Sequence, residues 1–256
     1  MKKVLPPGTI LQHLYLKERL RLRRPGRFVE VGCGDGVVSR LLLEAGWKGV
    51  GYDLNPAALD VARGINAAFL ARGDYEVRRA DWLSADLDDP ADLVISCLVV
   101  EHLSDEEGAS FYKRARETLA PGGVLILLVP GSPSDWGIED EIAGHLRRYD
   151  PATIAQRLAP AGLAVAHWAG LTFPLSNLLL PLANRLVART EADLAALPEK
   201  ERTIRSGHRR VPFKTFFPAV LGLILNELVL YPWHLLQKMF RRHPRAQILY
   251  VESRVS

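Results

Sequence analysis

Between residues 28 and 168, short apolar runs alternate with segments of helical periodicity. Strands and helices that alternate in this way form a parallel sheet, because each crossover between parallel strands is usually made by a helix. The apolar runs predict six strands in this region and a seventh further along the chain: Phe28–Val31, Gly49–Leu54, Tyr75–Arg79, Asp92–Leu98, Val124–Val129, Leu163–Trp168 and Ala246–Glu252. We therefore expect an α/β fold built on a mostly parallel sheet.

Helical patterns fill the segments between these runs. Asn55-Pro56 places an N-cap residue before a proline at the first helical position. Asp150-Pro151 starts another helix in the same way, with aspartate as the N-cap residue. The helices are predicted over these ranges: Thr9–Arg24, Val37–Ala45, Asn55–Ala71, Asp105–Leu119 and Asp150–Gly162.

A long segment, residues 169–245, separates the last two predicted strands. A structureless loop of that length would be improbable, and leucines at helical spacing between Leu175 and Leu186 predict a helix instead. A charged link near Pro198–Arg210 and an apolar stretch, Phe216–Leu236, follow. The predicted parts are a basic N-terminal helix (1–27), an α/β core (28–168), a helical insertion or cap (169–245) and the final strand of the core (246–256).

A glycine-rich loop follows the first predicted strand, with the sequence Glu30-Val31-Gly32-Cys33-Gly34-Asp35-Gly36. Glycines let the backbone approach a ligand and adopt positive φ, and the helix that follows offers unpaired N–H groups. A dinucleotide-binding loop has the spacing G-x-G-x-x-G. Here Val37 occupies the place of the third glycine, and Glu30 would oppose a diphosphate. Glu30 could instead contribute to binding a cationic amino-acid ligand, directly or through water.

Two carboxylates follow the next two strands. Asp53 ends the second strand and can accept hydrogen bonds from both hydroxyls of a ribose, while Asp81, next to Trp82, can accept one from the amine of an adenine. Together with the loop, these residues predict a pocket for an adenosine that carries an amino-acid tail and no phosphate.

The chain resembles a class I S-adenosylmethionine-dependent methyltransferase over Phe28–Trp168. The landmarks, in order, are the Glu30–Gly36 loop, Asp53, Asp81-Trp82, the strand and exit at Asp92–Leu103, and Pro121-Gly122-Gly123. The resemblance implies a Rossmann-like sheet of seven strands and S-adenosylmethionine as cofactor. It implies these cofactor-binding residues: Glu30, Gly32, Cys33, Gly34, Gly36, Asp53, Leu54, Asp81, Trp82 and Cys97. The glycines would pack on the cofactor, Asp53 would hold the ribose, Asp81 would hold the adenine, and Cys33 would be a small filler beneath.

The methyl acceptor is expected beside the carboxyl ends of the strands. The Glu101-His102-Leu103 segment resembles small-molecule methyltransferases whose acceptors include quinones and other lipid-like compounds. There is no Asn/Asp-Pro-Pro-Tyr/Phe motif for amino-methylation and no Pro-Cys for pyrimidine C5 chemistry. His102 is either a base or a packing residue near the cofactor. Because Glu101 and His102 are adjacent, we expect no metal site.

A second motif, Gly144-His145-Leu146-Arg147-Arg148-Tyr149, resembles a stretch found near the acceptor pocket in relatives of this group. If the stretch is helical, His145 and Tyr149 share a face. His145 could then deprotonate a hydroxyl that Tyr149 orients. In the competing interpretation, His145 and Arg148 only hold the loop in place by hydrogen bonds. We expect methylation of a small or lipid-like acceptor, most simply at oxygen. A C- or N-methyltransferase and a non-catalytic cofactor-binding sensor or scaffold are the alternatives.

The net charge of +4 divides unevenly along the chain. Residues 28–170 carry 12 basic and 22 acidic residues, whereas residues 1–27 carry eight basic and one acidic, and residues 171–256 carry 13 basic and six acidic. The basic flanks leave open a contact with an anionic membrane surface, and a homodimer also remains open. Nucleic acid is disfavoured because no RNA-binding appendage is visible.

The two cysteines, Cys33 and Cys97, are too few for a disulfide framework and indicate a cytoplasmic protein. The apolar stretch Phe216–Leu236 contains Glu227 near its centre, which makes a membrane span unfavourable. Tyr231 and Trp233, followed by a basic cluster, would suit a peripheral location at the inner face of the membrane. A cap helix packed on the core is the other interpretation of this stretch.

Overall fold

The computed structural model describes residues 4–86, 89–190 and 217–256. Within them, seven strands form one sheet with helices around it. The strands are β1 (Arg27–Val31), β2 (Lys48–Asp53), β3 (Tyr75–Arg79), β4 (Ala91–Cys97), β5 (Leu119–Pro130), β6 (Leu163–Leu171) and β7 (Ile248–Val255). The helices are α1 (Pro7–Leu20), α2 (Val37–Glu44), α3 (Pro56–Ile65), α4 (Ala67–Ala71), α5 (Asp105–Thr118), α6 (Ile138–Ala143), α7 (Pro151–Leu158), α8 (Leu175–Thr190) and α9 (Glu227–Met239).

The strand order across the sheet is β3-β2-β1-β4-β5-β7-β6. The strands β1 to β5 pair in parallel, and β7 lies antiparallel between β5 and β6. This confirms the predicted seven-stranded, mostly parallel α/β sheet. The order reverses between β1 and β4, and open parallel sheets bind ligands beside the carboxyl ends of the strands at such a switch point.

Apolar side chains cover both faces of the sheet. In β4, Leu93 and Val94 are both fully buried although they point to opposite faces. Val94 belongs to a core that includes Phe111 of α5, while Leu93 belongs to a core that includes Leu42 of α2. Burial on both faces explains why these strands are continuous apolar runs in the sequence.

The predicted helix from Asn55 to Ala71 consists of two helices instead. Asn55 caps α3, since its Oδ1 accepts hydrogen bonds from two backbone N–H groups of the first turn. The helix breaks at Asn66, whose buried side-chain amide donates to the carbonyls of Gly36 and Ala62. The side chain of Asn66 therefore ties the end of α3 to the glycine-rich loop, a tertiary contact that helical periodicity does not reveal.

Helix α1 ends at Leu20 rather than at Arg24. Tyr15, Leu16 and Leu20 are buried in the core beside the sheet, whereas Leu22 is 72% exposed. The amphipathic pattern overestimated the helix, because the arginines after Leu20 serve a different purpose.

Glu252 on β7 binds one arginine from the last turn of α1 and one from the residues after the helix. Arg19 donates to its carboxylate at 2.7 and 2.9 Å, Arg23 donates at 2.5 Å, and the Tyr250 hydroxyl donates at 2.8 Å. Burial by itself would raise the pKa of Glu252, but these hydrogen bonds and positive charges lower it. Arg19 and Arg23, two residues of the basic N-terminal flank, therefore bind a buried carboxylate.

Helices α8 and α9 and a 3₁₀ turn at Ala219–Leu223 lie between β6 and β7. Leu230 of α9 packs against Ile10 and Leu11 of α1. Among the described residues, no helix is both long and apolar enough to span a bilayer. The predicted link near Pro198–Arg210 and the first residue of the stretch Phe216–Leu236 fall outside the described residues.

Candidate active site

The loop Gly32–Gly36 begins at the carboxyl end of β1 and leads into α2. It is fixed on the neighbouring strand, because the N–H groups of Gly32 and Cys33 both donate to the Tyr52 carbonyl at 2.9 Å. The φ angles of Gly32, Gly34 and Gly36 are +74°, +52° and +74°. These values lie in the region that favours glycine, so the residue type and the backbone conformation agree.

The three glycines have different surroundings. A Cβ on Gly32 would lie 2.3 Å from Val99 Cγ2, and a Cβ on Gly36 would lie 2.9 Å from Ala62 Cα. A Cβ on Gly34 would meet no atom within 4 Å. Gly32 and Gly36 therefore allow protein to pack closely on the loop, whereas Gly34 borders open space where a ligand can approach the backbone.

Asp53 lies at the end of β2, beside Gly34. Its Oδ2 accepts a hydrogen bond from the Gly34 N–H at 2.8 Å, and its Oδ1 accepts one from the Asn55 N–H at 2.8 Å. A carboxylate offers about four acceptor sites, so Asp53 keeps capacity for the hydroxyls of a ribose. The next residue, Leu54, is 60% exposed and presents an apolar side chain at the same edge of the sheet.

Glu30 lies beneath the loop. The residue is 1% exposed, and the Ser39 hydroxyl donates to its carboxylate. Burial raises the pKa of Glu30 to about 8, the Ser39 hydrogen bond opposes this rise, and the charges of Asp35 and Asp53 add to it. In this structure Glu30 supports the loop from below, and its contact with a cationic amino-acid ligand remains a prediction.

Asp81 and Trp82 point in different directions. Asp81 is exposed, and its Oδ1 accepts a hydrogen bond from the Leu83 N–H at 3.0 Å. Trp82 is only 3% exposed, with its ring 5.4 Å from that of Phe111. The indole of Trp82 is thus a core side chain, and the predicted contact of Trp82 with the cofactor remains a prediction for its backbone atoms. The contact of Asp81 with an adenine remains a prediction.

Both cysteines are neutral packing residues. Cys33 is 4% exposed, and a Cβ on Gly51 would lie 2.9 Å from the Cβ of Cys33. Burial is the main reason why the pKa of the Cys33 thiol is raised, and Glu30 and Asp53 add to the effect. Burial also raises the pKa of Cys97, which ends β4 near the loop. Neither environment stabilises a thiolate.

Leu98 is a strained residue that the sequence does not reveal. It follows β4 with a φ of +58°, and its N–H donates to the Leu128 carbonyl at 2.8 Å. A left-handed conformation costs a residue with a side chain about 1–2 kcal/mol, and such strain is concentrated at ligand-binding sites. Only a glycine or asparagine at this position would have signalled the turn in the sequence.

The exit of β4 is bonded along its length to the segment 144–149. The chain there forms a 3₁₀ turn at Val100–His102. Three of its backbone carbonyls accept hydrogen bonds from the second motif, and the side chain of His102 donates one in return. The contacts are Tyr149 Oη to the Val100 carbonyl (3.1 Å), the Leu146 N–H to the Glu101 carbonyl (2.8 Å), Arg147 Nη1 to the Leu103 carbonyl (2.8 Å) and His102 Nδ1 to the Gly144 carbonyl (3.1 Å). Two motifs that are distant in sequence therefore form one site.

Tyr149 does not share a helical face with His145. Helix α6 ends at Gly144, which has a φ of +75°, and the residues that follow are not helical. Tyr149 is 1% exposed and its hydroxyl bonds to the Val100 carbonyl. The prediction that Tyr149 orients an acceptor hydroxyl is corrected: Tyr149 holds the exit of β4 in place.

His145 is oriented by Asp140. Its Nδ1 lies 2.8 Å from Asp140 Oδ1, and Arg148 Nε donates to the same oxygen at 2.8 Å. Burial would raise the pKa of Asp140, but the hydrogen bonds from His145 and Arg148 lower it to about 2. Because an ionised carboxylate only accepts hydrogen bonds, Nδ1 carries the proton and the lone pair of neutral His145 is on Nε2.

Glu101 and His102 lie beside that lone pair. His145 Nε2 is 3.9 Å from Glu101 Oε1, and the His102 ring is 4.9 Å from the His145 ring. Burial lowers the pKa of His102 to about 4, with His145 adding to this and the Gly144 carbonyl opposing it. Burial raises the pKa of Glu101 to about 8. We refer to Glu101, His102 and His145 as the Glu–His cluster.

The Glu–His cluster adjoins the glycine-rich loop. Val99, whose side chain packs on Gly32, is two residues from Glu101. The chain therefore passes from a contact with the loop at Val99 to the cluster within two residues. The sequence predicted no metal site because it showed only the adjacent pair Glu101-His102. The structure adds His145, and one ligand atom of each residue lies within 4.8 Å of the others.

A family sequence model described as "Methyltransferase domain" matches residues 9–167, which is more than half of the chain. The chain belongs to this methyltransferase family. It is 27% identical over 200 residues to a ubiquinone biosynthesis O-methyltransferase of Xanthomonas euvesicatoria pv. vesicatoria, covering 73% of this chain and 80% of the relative. It is 28% identical over 124 residues to an indolepyruvate C-methyltransferase of Streptomyces griseus, covering 47% and 38%. A ubiquinone biosynthesis O-methyltransferase of Azorhizobium caulinodans is 35% identical over 101 residues, covering 40% and 39%.

Solved structures share the fold of this methyltransferase. The N-methyltransferase NodS from Bradyrhizobium japonicum WM9, in complex with S-adenosylhomocysteine, has a TM-score of 0.53 at 18% identity and covers 64% of this chain and 78% of its own. The [4+2]-cyclase SpnF has a TM-score of 0.60 at 16% identity and covers 96% and 80%. These identities show the fold alone. Because the fold is shared with a cyclase, the acceptor must be argued from the site.

The cofactor of the methyltransferase is S-adenosylmethionine, and the described residues fit it. The open space over Gly34 allows close approach to the backbone, and Asp53 and Asp81 offer carboxylate oxygens to hydroxyl and amine groups. Unlike a diphosphate, an adenosine with an amino-acid tail is compatible with these acidic residues. The predicted contacts of Glu30, Leu54 and Cys97 with the cofactor are not tested by the geometry and remain predictions.

Gly34 provides a direct test of the cofactor position. Replacing Gly34 with alanine is expected to weaken the binding of S-adenosylhomocysteine at least tenfold, because the new methyl group occupies the open space over the loop. Gly73→Ala is the matched control, since Gly73 also has positive φ (+70°) and open space around its Cβ position, but lies before β3. Both variants should lose about 1–2 kcal/mol of stability from backbone strain. Equal cofactor affinity of the two variants in calorimetry would contradict the assigned position.

Proposed function

We propose that this methyltransferase transfers the methyl group of S-adenosylmethionine to a hydroxyl oxygen of a small or lipid-like acceptor. The observation that supports it best is the position of the Glu–His cluster. The cluster follows Val99, which packs on Gly32 of the glycine-rich loop, and within the cluster His145 Nε2 lies 3.9 Å from Glu101 Oε1. A hydroxyl needs a nearby group that accepts its proton, and an imidazole does so near neutral pH.

When bound, S-adenosylmethionine supplies a methyl group that is already activated by its positive sulfur. The residues of the chain must therefore align the acceptor and remove its proton. The acceptor oxygen forms a bond to the methyl carbon while the carbon–sulfur bond breaks and the sulfur keeps the electron pair. The O–H proton is accepted by His145 of the Glu–His cluster. Asp140 fixes the orientation of this imidazole.

Carbon is the competing acceptor atom. The relatives include both O- and C-methyltransferases at low identity, and an acidic C–H group also needs a proton acceptor. An aromatic amine is less well matched, because it is neutral at pH 7 and its lone pair attacks without prior loss of a proton, whereas an aliphatic amine is protonated and would also need a proton acceptor. The oxygen assignment therefore rests on the cluster together with the resemblance of Glu101-His102-Leu103 to the group with quinone-like acceptors.

The lipid-like character of the acceptor is supported by apolar side chains between β6 and β7. Leu178, Leu223, Leu228 and Met239 are 67%, 76%, 85% and 78% exposed. Arg241 and Arg242 follow α9, whereas the neighbouring Lys238 and Arg245 are paired with Glu18 and Asp135. Apolar side chains next to basic ones suit an amphipathic acceptor that is delivered from an anionic membrane surface.

The test uses the purified full chain with S-adenosylmethionine that carries a ¹³C-methyl group. A catechol, an aniline and a β-keto acid of similar size are the acceptors, and a catechol with a long alkyl chain is offered in anionic vesicles. NMR should place the label on oxygen of the catechols, with kcat/KM at least tenfold higher for the alkylated one. Label on carbon or nitrogen, with none on oxygen, would contradict O-methylation. Equal kcat/KM for the two catechols would contradict the lipid-like acceptor alone.

A further inference from the structure

Glu101 is the least satisfied buried group of the site. Its side chain is fully buried, and neither carboxyl oxygen has a hydrogen-bond partner among the described residues. A buried carboxyl group without a partner is costly and rare in native proteins. The arrangement is explained if the carboxylate binds a positive ligand between its oxygens and the neighbouring imidazoles.

The two histidines have the tautomers that metal ligation requires. His145 donates its Nδ1 proton to Asp140, and His102 donates its Nδ1 proton to the Gly144 carbonyl. Each hydrogen bond places the lone pair on Nε2. Histidines that bind metals nearly always donate their other N–H to a carboxylate or a backbone carbonyl, and these two partners are of those types.

Asp140 acts from outside the cluster. Its Oδ1 accepts hydrogen bonds from both His145 and Arg148, and its Oδ2 accepts one from the Gly137 N–H at 2.9 Å. This carboxylate is therefore engaged with donors and supports the imidazole. In metal centres, a carboxylate commonly accepts a hydrogen bond from one ring nitrogen of a histidine whose other nitrogen binds the metal. Asp140 and His145 have this arrangement, with Nε2 as the nitrogen that would bind.

The distances suit one small cation. One ligand atom each from Glu101, His102 and His145 lies within 4.8 Å of the others, and Glu101 Oε1 and His145 Nε2 are 3.9 Å apart. Ligand atoms around a tetrahedral zinc ion lie about 3.4 Å apart, as follows from metal–ligand distances of about 2.1 Å. Small side-chain rotations would bring the three groups into that geometry.

We propose that Glu101, His102 and His145 bind a divalent cation, and that Zn²⁺ is the best-matched metal. Two imidazoles and one carboxylate form a ligand set that suits Zn²⁺ and that leaves a fourth position open. On the basis of the proposed function, the acceptor oxygen takes this position. A bound cation lowers the pKa of a coordinated hydroxyl, so its proton leaves to solvent and the cation replaces His145 as the group that promotes ionisation.

The experiment measures cation binding without any acceptor. The purified full chain is freed of metal with a chelator and dialysed, and the binding of Zn²⁺, Mn²⁺ and Mg²⁺ is followed by calorimetry. Absorption of bound Co²⁺ reports the ligand geometry. We expect one equivalent of Zn²⁺ at micromolar or lower Kd, binding of Mg²⁺ at least a hundredfold weaker, and a tetrahedral Co²⁺ spectrum.

Variants assign the site. Glu101→Gln and His145→Ala should each weaken Zn²⁺ binding at least a hundredfold, and Asp140→Asn should weaken it about 10–100-fold, as expected for a supporting residue. His243→Ala, which changes a histidine stacked on Phe173 outside the cluster, is the control and should bind like the wild type. Circular dichroism establishes that each variant is folded. Glu101→Gln preserves the shape of the side chain, so it keeps the test valid if His145→Ala is unstable.

The inference is overturned if the wild type binds no Zn²⁺ stoichiometrically, or if the folded Glu101→Gln variant binds it as tightly as the wild type. These outcomes are distinct from failure of the proposed function. Full methylation of a hydroxyl by the chelator-treated protein would overturn the proposed role of the cation in ionising the acceptor and leave O-methylation intact. Stoichiometric Zn²⁺ binding by a chain that labels only carbon would support the site and reject the oxygen acceptor.

Discussion

Replacing His145 with alanine is expected to lower turnover by about 10²–10⁴-fold, the usual contribution of a group that assists proton removal. The binding of S-adenosylmethionine should change less than threefold. The reason is geometric: His145 faces Glu101 and His102 at the exit of β4, whereas the loop and Asp53 hold their positions without it. Turnover with a labelled methyl group and calorimetry with S-adenosylhomocysteine measure the two effects.

Asp140→Asn sharpens the test of His145. The amide keeps the shape of Asp140 but removes the negative charge that fixes the His145 tautomer. When two residues act as a unit, the losses of turnover from replacing each one do not add. The double variant Asp140→Asn/His145→Ala should therefore turn over no more slowly than His145→Ala alone. His243→Ala is the matched control and should retain turnover within twofold. Normal turnover of His145→Ala, with the fold intact, would remove His145 from the chemistry.

Replacing Glu252 with alanine is expected to lower the free energy of unfolding by about 3 kcal/mol, because removing one partner of a buried ion pair leaves the other charges without compensation. Arg19 and Arg23 both donate to this carboxylate, and it is only 3% exposed. For a chain of this size, 3 kcal/mol corresponds to a decrease in Tm of about 6–12 °C. Thermal and denaturant unfolding measure the change.

Glu44→Ala is the matched control for Glu252, because Glu44 also pairs with an arginine, Arg40, but both side chains are well exposed. The Glu44→Ala variant should lose less than about 0.5 kcal/mol of the free energy of unfolding.

The pH dependence of stability gives a second check. The pKa of Glu252 is lowered in the folded protein, so its stabilisation is present above the ordinary glutamate pKa and disappears as the pH falls through the folded-state value. The difference in the free energy of unfolding between the wild type and Glu252→Ala should therefore become smaller on acidification.

The sheet and the cofactor loop could be predicted because local sequence specifies them. The strands of the core are buried on both faces and appear as apolar runs, Gly32, Gly34 and Gly36 have the φ angles that their spacing suggests, and Asn55 caps α3. In each case, residues close in sequence determine the backbone conformation. The seven-stranded sheet and S-adenosylmethionine as cofactor follow from these local signals.

The acceptor side could be predicted only in part, because distant segments build it. Helical spacing was assumed for His145 and Tyr149, but Gly144 ends α6 and hydrogen bonds to the exit of β4 determine the conformation that follows. The burial of the Trp82 indole in the core also has no local signal, since its ring packs on Phe111 of α5. The strain at Leu98 has no local signature, because leucine is compatible with ordinary strand geometry.

The position of β7 has a consequence for the order in which the chain acquires its structure during synthesis. β6 ends at Leu171, but its partner β7 begins only at Ile248 and inserts between β6 and β5. While the ribosome makes the intervening residues, β6 is without a neighbour and β5 has an exposed edge, which is the kind of surface that promotes aggregation. Until β7 is added, the two unpaired strand edges remain exposed, and Arg19 and Arg23 lack the carboxylate of Glu252.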